Sequence, residues 1–233
     1  MNVKTKEEPF LLKFGGSWFS TLVPMIRSDY FEQLSSNVSY CYQQEQCFPE
    51  PKNLFRAFKA TPFSMVKVVL LAQDPYPNYH ANGVALATDQ ADIPQSLRLM
   101  FDHIQTTIGN VTTKPNLKHW TNQGVLMLNT RLSVANRKPG SHKGIGWEGF
   151  IEFCLHALAS RGNVVFVSLG NEAKSILEPH QQVFVGNNNL VSHREHPAAA
   201  AYQKRSWNGD NLFQRINMGL THLGYDQDNL IEW

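Results

Sequence analysis

Val66-Lys-Val-Val-Leu-Leu-Ala-Gln-Asp-Pro-Tyr-Pro77 decides how this chain is read. From Val66 to Leu71 it is almost unbroken apolar residue, β-branched at Val66, Val68 and Val69. Such a run fits a strand buried on both faces of a parallel sheet. It stops abruptly at Gln73, Asp74, Pro75 and Tyr76, which puts an amide, a carboxylate and a phenol at the strand's carboxyl end. Open α/β sheets place their ligands at that end. An Asp-Pro turn after a strand is also common, so the stretch alone leaves a plain turn open.

The same pattern recurs along the chain. Val125 to Asn129 is a second apolar run ending in a polar residue. Asn163 to Leu169 is a third, ending at Gly170-Asn171, and Leu190 to Arg194 is a fourth, ending near His196-Pro197. Between them the apolar residues recur at helical spacing. Ser17 and Asp29 read as caps of two early helices, with Phe31, Leu34 and Val38 on one face of the second. Pro94 opens a helix that buries Leu97, Met100, Phe101 and Ile104. Trp147 to Leu158 reads as an amphipathic helix, and Phe213, Ile216 and Leu220 mark the last one. Residues 1–16 read as an irregular lead-in, residues 106–118 as a polar loop, and residues 130–146 as a long loop carrying Arg131, Arg137, Lys138 and Lys143. Strand–helix alternation without an internal linker argues one α/β domain over residues 1–233, with a central parallel sheet flanked by helices.

Composition narrows the class. The 233 residues are 42% hydrophobic, enough for a sizeable core. A net charge of +2 leaves any nucleic-acid binding to local patches. Three cysteines without Cys-x-x-Cys spacing suit a reducing compartment and give no zinc motif. No apolar run reaches membrane-spanning length, and the polar N-terminus is unlike a secretory signal. The expectation is a soluble, intracellular monomer that does not bind a membrane.

If the four strands are parallel, Gln73, Asp74, Asn129, Gly170, Asn171 and His196 converge on one rim. Taken singly, each has a bland reading: a turn aspartate, a loop-satisfying asparagine, a packed histidine. Together they point to a site. The nine histidines form no His-Glu-x-x-His or Cys-His grouping, so no metal is expected. There is no Gly-x-Gly-x-x-Gly, Walker loop or Gly-x-Ser-x-Gly elbow, so no nucleotide cofactor or serine nucleophile is expected. Metal-free acid–base chemistry, on a ligand read by amide and backbone, is what remains.

These blocks resemble family-1 uracil-DNA glycosylases, with features of the poxviral branch. Ala72-Gln-Asp-Pro-Tyr-Pro77 is similar to the family's water-activating segment, its final proline being the poxviral variant. Gln123 to Asn129 resembles the uracil-reading strand, Ser141 to Glu148 a further block, and His196-Pro-Ala-Ala the His-Pro-Ser-Pro segment. The resemblance implies a four-stranded parallel sheet and hydrolysis of the N-glycosidic bond of deoxyuridine in single- or double-stranded DNA, without a cofactor. It implies that Asp74 opposes positive charge on the sugar and handles the water. His196 would donate to the uracil oxygen, Asn129 and Gln73 would read the base, and Tyr76 would exclude a thymine methyl. Leu86 stands where the family stacks a phenylalanine. Ser96, Gly170, Asn171, Ala198 and Ala200 match DNA-contacting loops, although the alanines replace a serine and a wedging leucine. Tyr202, Lys204, Arg205 and Trp207 follow closely; the first three are candidates for DNA contact, and Trp207 either stacks in the gap or packs under the last helix. A replication or repair protein partner is left unnamed. The rival readings are a glycosylase-fold module that binds DNA or protein with weak or no catalysis, and a glycosylase for another base.

Overall fold

A computed structural model describes residues 14–109 and 114–233. Most of the expected lead-in therefore lies outside the described residues. The sheet consists of β2 (Val68–Ala72), β3 (Val125–Asn129), β5 (Val165–Leu169) and β6 (Leu190–Arg194), all parallel, in the order β3-β2-β5-β6. This is the single α/β domain with a four-stranded parallel sheet that the apolar runs imply. The register pairs Ala72 with Asn129 and Leu71 with Ser168. The strand ends are thus level, and the polar residues after them share one rim.

Both faces of the sheet are covered, as a parallel sheet requires. Val69, Leu71, Leu126, Leu128 and Phe166 point into one core with Trp18, Phe58, Phe150 and Leu155. Val68, Leu70, Met127, Val165 and Val167 point into the other with Leu97, Trp120, Phe213 and Ile216. The alternation is the period of two of a β-strand. The first core draws on helices α1 (Gly16–Ile26), α2 (Asp29–Gln44), α3 (Arg56–Ala60) and α6 (Trp147–Arg161). The second draws on α4 (Gln95–Thr107), α5 (Lys118–Asn122) and α10 (Leu212–His222).

Several local expectations change. Helix α1 begins at Gly16, so Ser17 lies inside it and instead accepts from Phe63 N at 3.1 Å. Pro24 sits in the last turn of α1, where it removes one intrahelical N–H donor just before the helix ends. Ser28, rather than Asp29, caps α2, accepting from Phe31 N at 3.2 Å. Asp29 falls in the first turn, where its charge meets the positive end of the helix dipole. The expected 106–118 loop is shortened at both ends, since α4 runs to Thr107 and α5 starts at Lys118. The 130–146 segment contains β4 (Val134–Ala135), antiparallel to β1 (Cys47–Phe48). Two further short helices, α7 (Asn171–Leu177) and α8 (Gln181–Gly186), lead into β6, and α9 (Pro197–Tyr202) follows it. Among the described residues no helix is long and apolar enough to cross a membrane.

Candidate active site

In this strand order the chain moves outward from β2 in both directions, to β3 on one side and β5 on the other. The switch point lies between the ends of β2 and β5, where ligands of doubly wound sheets bind. Asp74 follows β2 and Gly170 follows β5, one on each lip of that crevice.

The Asp74 carboxylate is held by three donors. Arg131 Nε gives to Oδ1 at 2.5 Å, and Gly140 N and Gln73 Nε2 give to Oδ2 at 2.9 Å each. Gln73 therefore orients Asp74 with its amide. The backbone is pinned as well: Thr130 N donates to Ala72 O and Arg131 N to Gln73 O, carrying the β2–β3 ladder past the strand ends. The 130–146 loop thus folds back over the site rather than standing in solvent. Arg131 is 1% exposed, and its Nη1 also reaches Glu148 and Glu172. Burial disfavours its charge, but the hydrogen bond and charge of Asp74, followed by those of Glu172, outweigh that and move its pKa up. Hydrogen bonds from Lys143 and then Arg131 hold the Glu172 carboxyl below its ordinary value. Lys138 pairs with Glu45 and Lys143 with Glu172, so both lysines of the loop are ion-paired. The sequence marked Arg131 as a loop charge and missed its tie to Asp74.

His196 caps α9. Ala198 N donates to its Nδ1 at 3.1 Å. Nδ1 is therefore the acceptor, and the proton of the neutral ring sits on Nε2 as a free donor. Burial pushes its pKa from 6.5 down to about 4, against the opposing pull of Asp74. Gly170 lets His196 approach: a Cβ there, at φ +87°, would lie 3.0 Å from His196 Cβ.

Gln73, Asp74, Tyr76, Leu86, Ser96, His196, Ala198 and Tyr202 line one cavity of about 450 Å³, together with Pro77 and Pro139. The Tyr76 hydroxyl is fixed by Leu86 O at 3.0 Å and Ser96 Oγ at 3.1 Å, and burial raises its pKa. Leu86 has φ 61°, unusual for a branched side chain, and is clamped by that bond. Asn129 does not line this cavity. It is 5% exposed at the end of β3, and its Oδ1 is buried without a hydrogen-bond partner. An unpaired buried acceptor costs about 1–3 kcal/mol, a cost that a ligand donor would relieve.

A second concavity of about 650 Å³ shares Gln73, His196, Ala198 and Tyr202 with the first and continues past Gly170, Asn171 and Lys174. Asn171 is exposed, and Tyr202 is 86% exposed at the rim. Ala200 is a correction: it was expected on a DNA-facing loop, but α9 turns it inward and it is fully buried in the second core. Lys204 is exposed, whereas Arg205 pairs with Glu195 and Gln203. Trp207 takes the packing alternative, buried with Nε1 donating to Glu195 O at 2.9 Å.

An acid at the switch point of a parallel sheet, with a neutral imidazole and a buried amide on the same rim, defines an α/β protein built to act on a ligand at its strand ends. The model of the uracil DNA glycosylase superfamily matches residues 58–221. The uracil-DNA glycosylase of Lactobacillus acidophilus is 33% identical over 94% of this chain and 92% of its own length. That of Phocaeicola vulgatus is 35% identical over 100% of both chains. The crystal structure of mimivirus uracil-DNA glycosylase superposes with a TM-score of 0.82 at 22% identity, covering 100% of this chain and 94% of its own, a likeness of fold. This chain belongs to the uracil DNA glycosylase superfamily.

Proposed function

We propose that this protein is a uracil-DNA glycosylase that flips deoxyuridine out of DNA and hydrolyses its N-glycosidic bond, leaving an abasic site. The observation that carries the residue assignments is the pairing of Asp74, fixed by three donors, with a neutral His196 offering Nε2–H beside the same cavity. A base inside a duplex cannot be reached by such a rim, so it must leave the stack. Breaking the bond between sugar and base leaves positive charge on the sugar and negative charge on uracil. Asp74 opposes the first and holds the attacking water; His196 donates to the uracil oxygen where the second develops. The Asn129 amide accepts from the base N–H and donates to a carbonyl, a pattern cytosine reverses. Tyr76 occupies the space beside the uracil 5-position. Leu86 gives aliphatic contact where an aromatic ring would stack, and so forgoes part of the about 1–3 kcal/mol that base–aromatic stacking is worth.

The extrahelical base enters the first cavity, past Ser96, toward Asn129, which lies behind that lining at the end of the neighbouring strand β3, and the flanking backbone follows the second concavity past Gly170, Asn171 and Ala198. The proline at position 77 and the His196-Pro-Ala-Ala segment support a place in family 1 beside the poxviral members. We further propose a soluble, intracellular protein, active as a monomer and forming one domain over the whole chain; a replication or repair partner remains to be assigned. The direct test is incubation with single- and double-stranded uracil oligonucleotides in EDTA, scoring abasic sites. Turnover of both substrates is expected, and none on either would end this reading.

At the rim, Tyr202 fills the gap left by the flipped base. Tyr202→Ala should therefore cost more on duplex than on single strands; equal losses remove it from that role. Lys204→Ala with Arg205→Ala should weaken both substrates and flatten the salt dependence by about one phosphate contact, since Arg205 is already paired.

His196 also fixes a pH signature. Its folded pKa is depressed, so between 6.5 and about 4 the unfolded chain takes up a proton that the folded chain refuses. Its contribution to stability is present above 6.5 and is lost as pH falls through about 4. The folded imidazole stays neutral across that window. Single-turnover cleavage should therefore show no inflection near 6.5. An inflection there that His196→Gln removes would mean that the ring titrates in the working enzyme.

A further inference from the structure

Arg131 follows the base-reading strand by two residues, yet its guanidinium belongs to the other half of the site. Buried in the loop after β3, it faces Asp74, Glu148 and Glu172, and Lys143 is the further charge on Glu172. Glu148 lies in the first turn of α6 and Glu172 in the first turn of α7, directly after Gly170-Asn171. One side chain thus links the acid, two helix starts and the loop beside the second concavity.

The acceptor count on Asp74 gives this link a chemical consequence. A carboxylate offers about four lone-pair sites over its two oxygens. Gly140 N and Gln73 Nε2 fill both on Oδ2, and Arg131 Nε fills one on Oδ1. One site remains, and it lies on Oδ1. A buried ion pair needed for stability alone is usually replaceable by apolar packing, whereas a cation aimed at one oxygen of a reacting carboxylate selects a geometry.

We propose that Arg131 is a positioning residue for glycosidic cleavage: it leaves Asp74 a single open lone pair, on Oδ1, for the attacking water and ties that geometry through Glu172 to the Gly170-Asn171 loop. The inference rests on the uracil-DNA glycosylase reading above. Glu148 and Glu172 balance the guanidinium so that it stays charged without drawing Asp74 out of place.

The test compares wild type, Arg131→Lys and Arg131→Met, each alone and with Asp74→Asn. Single-turnover cleavage of a uracil oligonucleotide, binding of a non-hydrolysable deoxyuridine oligonucleotide and thermal melting are measured on each. A misplaced reacting group costs about 10²-fold, so Arg131→Met should lose about that much in rate while binding stays within about threefold. Arg131→Lys keeps the charge but cannot span all three carboxylates, and should fall between, about tenfold below wild type. In the Asp74→Asn background neither change should lower the residual rate further, because residues that act as a unit are not additive. Should Arg131→Met fail to fold, Arg131→Lys decides. A folded variant cleaving within about threefold of wild type, or an undiminished loss in the Asp74→Asn background, overturns the proposal. Absence of cleavage by wild type is a different failure, that of the functional reading itself.

Discussion

Asp74→Asn should lower single-turnover cleavage of uracil-DNA by about 10³-fold or more while binding of the same DNA is largely kept. In the proposed mechanism the carboxylate supplies charge to the cationic sugar and a lone pair to the water, and an amide supplies neither charge nor basicity. The change also has a structural cost that can be separated from the chemical one. Asp74 accepts from Arg131, Gly140 and Gln73, and an asparagine must turn its NH₂ toward at least one of those donors. It also leaves Arg131 facing Glu148 and Glu172 without its nearest partner. Breaking a buried pair at one end costs about 3–5 kcal/mol, so the variant should melt below wild type. Adding Arg131→Met to Asp74→Asn removes the stranded cation, and should recover part of that stability without recovering rate. Equal turnover by Asp74→Asn and wild type would remove Asp74 from the mechanism.

How much of this was legible in the sequence depends on whether the signal was local. The strands β2, β3 and β5 could be read because a strand buried on both faces is apolar at nearly every position: Val68–Ala72 is wholly so, Val125–Asn129 breaks only at its last residue and Val165–Leu169 only at Ser168, whereas the half-buried edge strand β6 shows only Leu190 and Val191 before it turns polar. Level strand ends then follow from parallel pairing, so Asp74, Asn129 and His196 could be grouped before any coordinate was known. Arg131 could not. A cation in a polar segment reads as solvated, and its partners lie 57, 17 and 41 residues away in the chain. The inward turn of Ala200 was hidden for a related reason. Four alanines after a proline carry no amphipathic pattern, so nothing marked which of them α9 would press against α4. The two-residue strands β1 and β4 are too short for any alternation to show. The helix caps were misplaced by one or two residues: Ser28 and Asp29 are adjacent competent caps, and α1 starts from Gly15, which makes no side-chain cap bond and so carries no capping signal.

Asn129→Asp should move base choice from uracil toward cytosine. The wild-type amide presents an acceptor, Oδ1, that is buried and has no partner within the protein, together with a donor. In the proposed reading uracil supplies an N–H to the first and a carbonyl to the second; cytosine presents an unprotonated ring nitrogen and an amino group. A site built to hydrogen-bond its substrate rejects a mismatched pattern by about 10⁴-fold, because its own buried groups are left unpaired. An aspartate only accepts, which suits the cytosine amino group and penalises the uracil carbonyl. Absolute rates will fall on both bases. The new carboxylate is buried at a position paired in register with Ala72, two residues before Asp74, and like charges at one rim repel. The informative quantity is therefore the ratio of single-turnover rates on uracil- and cytosine-containing oligonucleotides of one sequence. A fall in that ratio, with detectable release of cytosine, is the expected result. Loss of uracil cleavage with no cytosine release would weaken the assignment, since a collapsed site does the same. Persistence of full uracil selectivity at a measurable rate would sink it, for the base would then be read by the backbone around Gln73 and the Asn129 amide would be packing.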